Sequence, residues 1–135
     1  MLKETLVAAM IAAAVALPAR AASLTVELRG QDTAGGRLMV ALAATAAEFP
    51  DHASRFAEVP AGSSARFENL PPGDYAIAAF QDVNENGVLD KNALGIPTEP
   101  YGFSNDARGW FGPPSWQAAR FHLGAADGAV TLTLH

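Results

Sequence analysis

Residues Asp82-Val83-Asn84-Glu85-Asn86-Gly87-Val88-Leu89-Asp90 put oxygen-bearing side chains at relative positions one, three, five and nine, with glycine at six. Alternate residues of a tightly curled loop can turn their oxygens toward one point, and a hard cation such as calcium takes roughly six to eight of them. Glycine at the sixth position allows the sharp turn and frees the next carbonyl, that of Val88, to coordinate. The candidate ligands are therefore Asp82, Asn84, Asn86, the Val88 carbonyl and Asp90, with Glu99 reaching in from beyond the loop. A helix-loop-helix calcium site supplies a two-pronged Glu at its twelfth position, and here that position is Ala93. With only Asp82, Asp90 and Glu99 charged, binding is expected to be weak, with Kd on the order of 10⁻⁴ to 10⁻³ M as in extracellular modules. The competing reading is a metal-free turn in which Asp82, Asn84 and Asn86 accept from their own backbone. Magnesium, which demands an octahedral shell, suits this loop less well.

Other chemistry is thinly represented. His52, His122 and His135 are scattered, and the chain has no cysteine, which excludes thiol catalysis and zinc-thiolate sites. Ser104 or Ser115 would need a neighbouring base that the sequence does not supply. Asp82, Asp90 or Glu99 could serve as acid and base on an envelope polysaccharide, but a ligand role explains the same carboxylates better. No catalytic residue is assigned.

The elements that must hold this loop begin after residue 21. Leu6 to Leu17 is an apolar run preceded by Lys3 and followed by Ala19-Arg20-Ala21, the pattern of a secretory signal peptide cut after Ala21. A buried N-terminal helix is the rival reading, and a membrane anchor would need about 20 apolar residues. Without residues 1–21, the remaining 114 residues suffice for one domain, 22–135, and carry seven basic against thirteen acidic side chains. Such an acidic chain with no basic stripe is a poor match for nucleic acid. The expected setting is periplasmic or secreted, with an envelope protein or a glycan as the candidate partner and no membrane span.

Period-two alternation runs through the rest. Leu24, Val26 and Leu28 alternate with Thr25, Glu27 and Arg29, and Gly30–Gly36 reads as the turn of a hairpin to a second strand, Arg37–Ala44, apolar on both faces and so expected mid-sheet. Between Thr45 and Gly62 the pattern allows either a short edge strand at Arg55–Val59 or a short helix over Ala46–Arg55. Ser64–Asn69 reads as a strand with Phe67 inward, Pro71-Pro72-Gly73 as a turn, and Tyr75–Phe80 as the strand that runs into Asp82. A strand before the loop argues against a helix-loop-helix domain. Lys91–Trp116 reads as one long Gly/Pro-rich loop carrying Tyr101, Phe103, Trp110, Phe111 and Trp116. These aromatics either form a stacking surface or fold back to seal the open end of the fold. Arg108 is placed to clamp Asp90 or Glu99, or else is solvated. Strands at Ala119–Leu123 and Val130–Leu134 close the chain. Six or seven short strands imply an all-β, antiparallel β-sandwich of immunoglobulin-like or prealbumin-like type.

The run Phe80-Gln81-Asp82-Val83-Asn84-Glu85-Asn86-Gly87, then Leu89-Asp90, Gly95-Ile96-Pro97, Tyr101-Gly102-Phe103-Ser104-Asn105 and Ala107-Arg108-Gly109, resembles the exported bacterial domain-of-unknown-function family 2141. Leu70-Pro71-Pro72-Gly73-Asp74-Tyr75 and Gly112-Pro113-Pro114 extend the likeness over nearly all of residues 22–135. The resemblance implies a β-sandwich in the cell envelope and brings no activity, substrate or catalytic residue. More locally, Leu70 to Asp90 is similar to calcium-binding β-sandwich repeats of bacterial surface proteins, which implies a structural role for the ion.

Overall fold

The alternation of large apolar and polar side chains is realised as two packed sheets in the computed structural model, which describes residues 21–135; the signal-peptide expectation falls outside the described residues. The strands are β1 (Ala22–Arg29), β2 (Arg37–Ala43), β3 (Arg55–Pro60), β4 (Ala65–Leu70), β5 (Gly73–Asp82), β6 (Tyr101–Phe103), β7 (Phe121–Leu123) and β8 (Gly128–Thr133), with one short helix, α1 (Trp116–Ala119). One sheet has the order β4-β1-β8 and the other β3-β2-β5-β6, with β7 also on β5. The fold is an all-β sandwich. Leu24, Val26 and Leu28 of β1, Leu38, Val40 and Leu42 of β2, Phe67 of β4 and Tyr75, Ile77 and Ala79 of β5 meet between the sheets, all buried.

Three details differ from the sequence reading. Eight strands form, because Tyr101–Phe103, inside the segment read as loop, pairs with Ala78–Phe80. Within the antiparallel framework one pair, β1 with β8, runs parallel from Leu24↔Gly128 to Arg29↔Thr133. These strands lie at opposite ends of the described chain, so no hairpin constrains their direction. The turn at Gly30–Gly36 does not close a hairpin, because β1 and β2 go to different sheets and the turn carries the chain from one to the other. Ala46–Ser54 forms turns and bends leading into β3, the edge-strand alternative for that stretch.

The last residues join the two sheets. Leu134 N–H donates to the Arg29 carbonyl at 2.8 Å, and His135 and Tyr101 exchange backbone hydrogen bonds at 2.9 and 3.2 Å. The three residues after β6 fasten the same edge. Strand β5 is paired by β7 over Gly73–Tyr75 and by β6 over Ala78–Phe80, and Ile77 lies in the gap. Its N–H is taken by Ser104 Oγ at 2.9 Å, while the same hydroxyl donates to the Ala119 carbonyl at 2.6 Å. Asn105 Nδ2 donates to the carbonyls of Ala118 and Arg120, and Asp106 Oδ1 accepts from Thr133 N–H of β8. Asn105 and Asp106 hold φ of 60° and 50°, a left-handed conformation that Asn and Asp tolerate better than most residues.

Ser104 is only 1 % exposed, so Ser104→Ala strands a buried Ile77 N–H without water to replace the lost acceptor. The expected cost is about 1–3 kcal/mol, read as a lower denaturant midpoint with an unchanged slope. An unchanged midpoint would mean that this edge of β5 contributes little.

Candidate functional site

Strand β5 hands the chain into the acidic loop at a fixed point. Along its inner face Tyr75, Ile77 and Ala79 are apolar, and the next inward position is Gln81, 0 % exposed. Its Oε1 accepts from Asp32 N–H at 2.6 Å, and its Nε2 donates to the carbonyls of Asp32 and Gly35 at 2.9 and 2.6 Å. The β1–β2 turn is thereby strapped against the end of β5. Gly36, at φ 85°, lies against the Asp82 carbonyl, and a Cβ there would meet that oxygen and the Val83 Cα. Sequence reasoning missed Gln81, although an amide where the alternation calls for an apolar residue was a readable signal.

The loop closes into one hydrogen-bonded cluster. Asp82, 2 % exposed, accepts from Asn86 N–H at 3.2 Å through Oδ1 and from Gly87 N–H at 2.7 Å through Oδ2. Asn84 Oδ1 accepts from Asn86 N–H, and Asn86 Oδ1 from Val88 N–H. The two amide groups converge on Asp90: Asn84 Nδ2 reaches Oδ2 at 2.6 Å, and Asn86 Nδ2 reaches Oδ1 at 2.7 Å. These donors, Asn86 first and then Asn84, hold the Asp90 carboxyl below its usual range. Glu99, 8 % exposed, takes Val83 N–H at 2.7 Å and Asp90 N–H at 2.9 Å, so it spans both ends of the loop.

Five of the six anticipated ligand residues, Asp82, Asn84, Asn86, Asp90 and Glu99, thus belong to one network, whereas Val88 joins it through its N–H and leaves its side chain 59 % exposed. A carboxylate oxygen carries two lone pairs, so one N–H each leaves Asp82 and Glu99 with acceptor capacity. Among the described residues, no group of three His, Cys, Asp or Glu side chains is arranged to hold a metal, and no ion pair to Asp82, Asp90 or Glu99 is found. Amide and carbonyl oxygens would have to complete any shell. The donor chemistry, all hard oxygen, fits calcium, provided that the Asn84 and Asn86 amides turn from Asp90 toward the ion.

The segment read as one long loop is several short pieces. Asn92 Oδ1 accepts from Leu94 and Ile96 N–H, and Lys91 and Pro97 form a β-bridge, so 91–97 is a tight excursion. Thr98 N–H donates to the Asp90 carbonyl at 2.8 Å. The aromatics divide between the two roles considered for them. Phe103 and Trp116 pack edge-on against Phe49, with ring centroids 5.9 and 6.4 Å away, and cover part of the outer face of the five-stranded sheet rather than the open end of the sandwich. Trp110 and Phe111 are fully in solvent, 92 % and 103 % exposed, beside an open groove of about 920 Å³ on the same face.

Arg108 does not clamp the acidic loop. It is exposed and lines a separate recess of about 140 Å³ with Asp106, Thr133 and His135. His122 Nδ1 lies 3.0 Å from Asp74 on the neighbouring strand. No helix among the described residues is long and apolar enough to cross a membrane, which says nothing of membrane β-barrels.

Comparison with known proteins adds a family and no activity. No curated protein matches the chain. Two solved structures of a pilus-presented adhesin, Spy0125 (Cpa), align at 11 % and 9 % identity, with TM-scores of 0.35 and 0.32. The alignments cover 85 % and 84 % of this chain but only 27 % and 26 % of the adhesin chains. The family profile described as "uncharacterized protein conserved in bacteria (DUF2141)" matches residues 26–131, from the middle of β1 to the middle of β8, and the chain belongs to that family.

Proposed function

We propose that this protein is an exported, non-enzymatic β-sandwich module of the cell envelope whose 82–90 loop takes a calcium ion and thereby fixes the segment 91–116. The observation that carries the reading is a single hydrogen-bonded network, made through side chains and loop backbone, that joins Asp82, Asn84, Asn86, Asp90 and Glu99, with no cationic side chain paired to its carboxylates among the described residues. When bound, the ion supplies positive charge among like charges. Asp82, Asp90 and Glu99 would hold it with the Asn84 and Asn86 side-chain oxygens and the Val88 carbonyl. The consequence for the following segment runs through Glu99 and Thr98, which already bind the loop backbone. Acid–base work on a glycoside is less well supported. Asp82 and Glu99 are almost wholly buried, at 2 % and 8 % exposed, so neither is open to a sugar chain in solution.

The test is calorimetric titration of residues 22–135 with calcium, and with magnesium for comparison. The expected result is one calcium site per chain with Kd on the order of 10⁻⁴ to 10⁻³ M and weaker magnesium binding. Absence of binding at millimolar calcium would remove the proposal.

A further inference from the structure

The outer face of the five-stranded sheet carries an apolar patch that the calcium reading does not use. Phe56 on β3 is 71 % exposed, and across the groove stand Leu94 at 84 %, Ile96 at 55 %, Trp110 at 92 % and Phe111 at 103 %. The floor between them is the half-buried row Met39, Ala41 and Phe80. An aromatic side chain buries roughly 150–250 Å². Covering these five side chains and the floor would therefore remove on the order of 800 Å² per molecule from water, which is what one partner contributes to a standard stable interface. So large a contiguous patch is not typical of a surface that stays in solvent.

Charge indicates what covers it. The chain as a whole is acidic, at −5, yet the charged residues lining this face are Asp51, Glu58 and Lys91. Glu58 is neutralised by Arg37, whose Nε lies 2.6 Å away in a close ion pair without hydrogen-bond alignment. That leaves one acid, Asp51, and one base, Lys91, on a nearly neutral face. Two acidic molecules can meet here without the repulsion that opposes contact elsewhere. The face also offers both halves of a self-complementary contact, the projecting Trp110–Phe111 pair and the groove beside it. An interface related by a two-fold axis requires the same patch on each molecule to serve as donor and receiver.

We infer that a second copy of this chain covers the face, with Trp110 and Phe111 of each molecule seated in the groove of the other. The inference goes beyond the calcium reading and does not depend on it.

Sedimentation velocity on residues 22–135, from micromolar to near-millimolar concentration and with chelator present, tests it. The wild type is expected to pass from monomer to dimer across this range. Trp110→Asp combined with Phe111→Asp is expected to stay monomeric and, at concentrations where the wild type is monomeric, to melt at the same temperature, since neither side chain is buried within one molecule. Phe56→Arg, on the opposite wall, is expected to weaken the dimer at least tenfold. A wild type that stays monomeric throughout would overturn the inference, whether or not its groove takes up a hydrophobic dye or a glycan. A dimer indifferent to all three substitutions would overturn it as well.

Discussion

Gly102→Ala is expected to lower the stability of this domain by about 2–4 kcal/mol, and its melting temperature by roughly 10 °C. Gly102 is the middle residue of β6, the strand whose neighbours are β5 on one side and the crossing C-terminal residues on the other. A Cβ at this position would stand 2.5 Å from the Thr133 carbonyl oxygen and 3.2 Å from Leu132 Cδ1. The obstacle is backbone, so no rotamer change relieves it. Either β6 or the end of β8 must move, and the move breaks the Tyr101–His135 pairing and the Asp106 bond to Thr133. Gly112→Ala is the control, because nothing lies within 4 Å of its would-be Cβ and its φ is not positive. Equal melting of the two variants would show that the sheets are not joined through this contact.

The same residues explain why the fold was largely legible and the edge of the sheet was not. Alternation made β1, β2, β4 and β5 readable because each has one face in the core, and a one-residue shift would expose every large side chain. Strand β6 offered no such signal. At three residues, with a glycine in the middle, Tyr101-Gly102-Phe103 contains too few positions for a period, and its place is set by partners remote in sequence. The following Ser104-Asn105-Asp106 looked like the middle of the long 91–116 loop or, for Ser104, a nucleophile lacking a base. It is a clamp whose three side chains reach β5, α1 and β8, and its meaning exists only once those elements are neighbours.

The acidic loop was readable for the opposite reason. Its logic is local, oxygens at alternate residues with a glycine where the backbone must turn, so spacing alone put Asn84 and Asn86 within reach of Asp90, while Asp82 and Glu99 bind the loop backbone. Glu99 was the one distant member, and its acidity near the loop was enough to suggest it. Of the two readings of Arg108 the solvated one holds, because proximity in sequence to acidic residues said nothing about the direction β6 would send the chain. The aromatic segment resisted a single reading because two of its rings pack on the sheet while two face water.

Asp82→Ala is expected to have the second large effect, in two parts that can be separated. With chelator present, the variant loses the acceptor of the Asn86 and Gly87 N–H groups. Both residues are exposed, so water can replace part of what is lost, and the expected cost is about 1–3 kcal/mol. With calcium present the gap widens. An ion that binds only the folded wild type adds about 1.4 kcal/mol at ten times Kd and about 2.7 kcal/mol at a hundred times Kd, and the variant gains almost none of it. Asp82→Asn separates charge from shape, since its amide oxygen can still accept a backbone N–H. Its NH2 would face the second of the two N–H groups that Asp82 accepts, so it is expected to lose stability in chelator much as Asp82→Ala does and to respond only weakly to calcium. The informative quantity is therefore the calcium-dependent shift of each protein rather than its absolute melting temperature. If wild type, Asp82→Ala and Asp82→Asn all rise equally with calcium, the ion is held elsewhere. If none rises, Asp82, Asn84, Asn86 and Asp90 form a metal-free turn whose carboxylates serve only to order their own backbone.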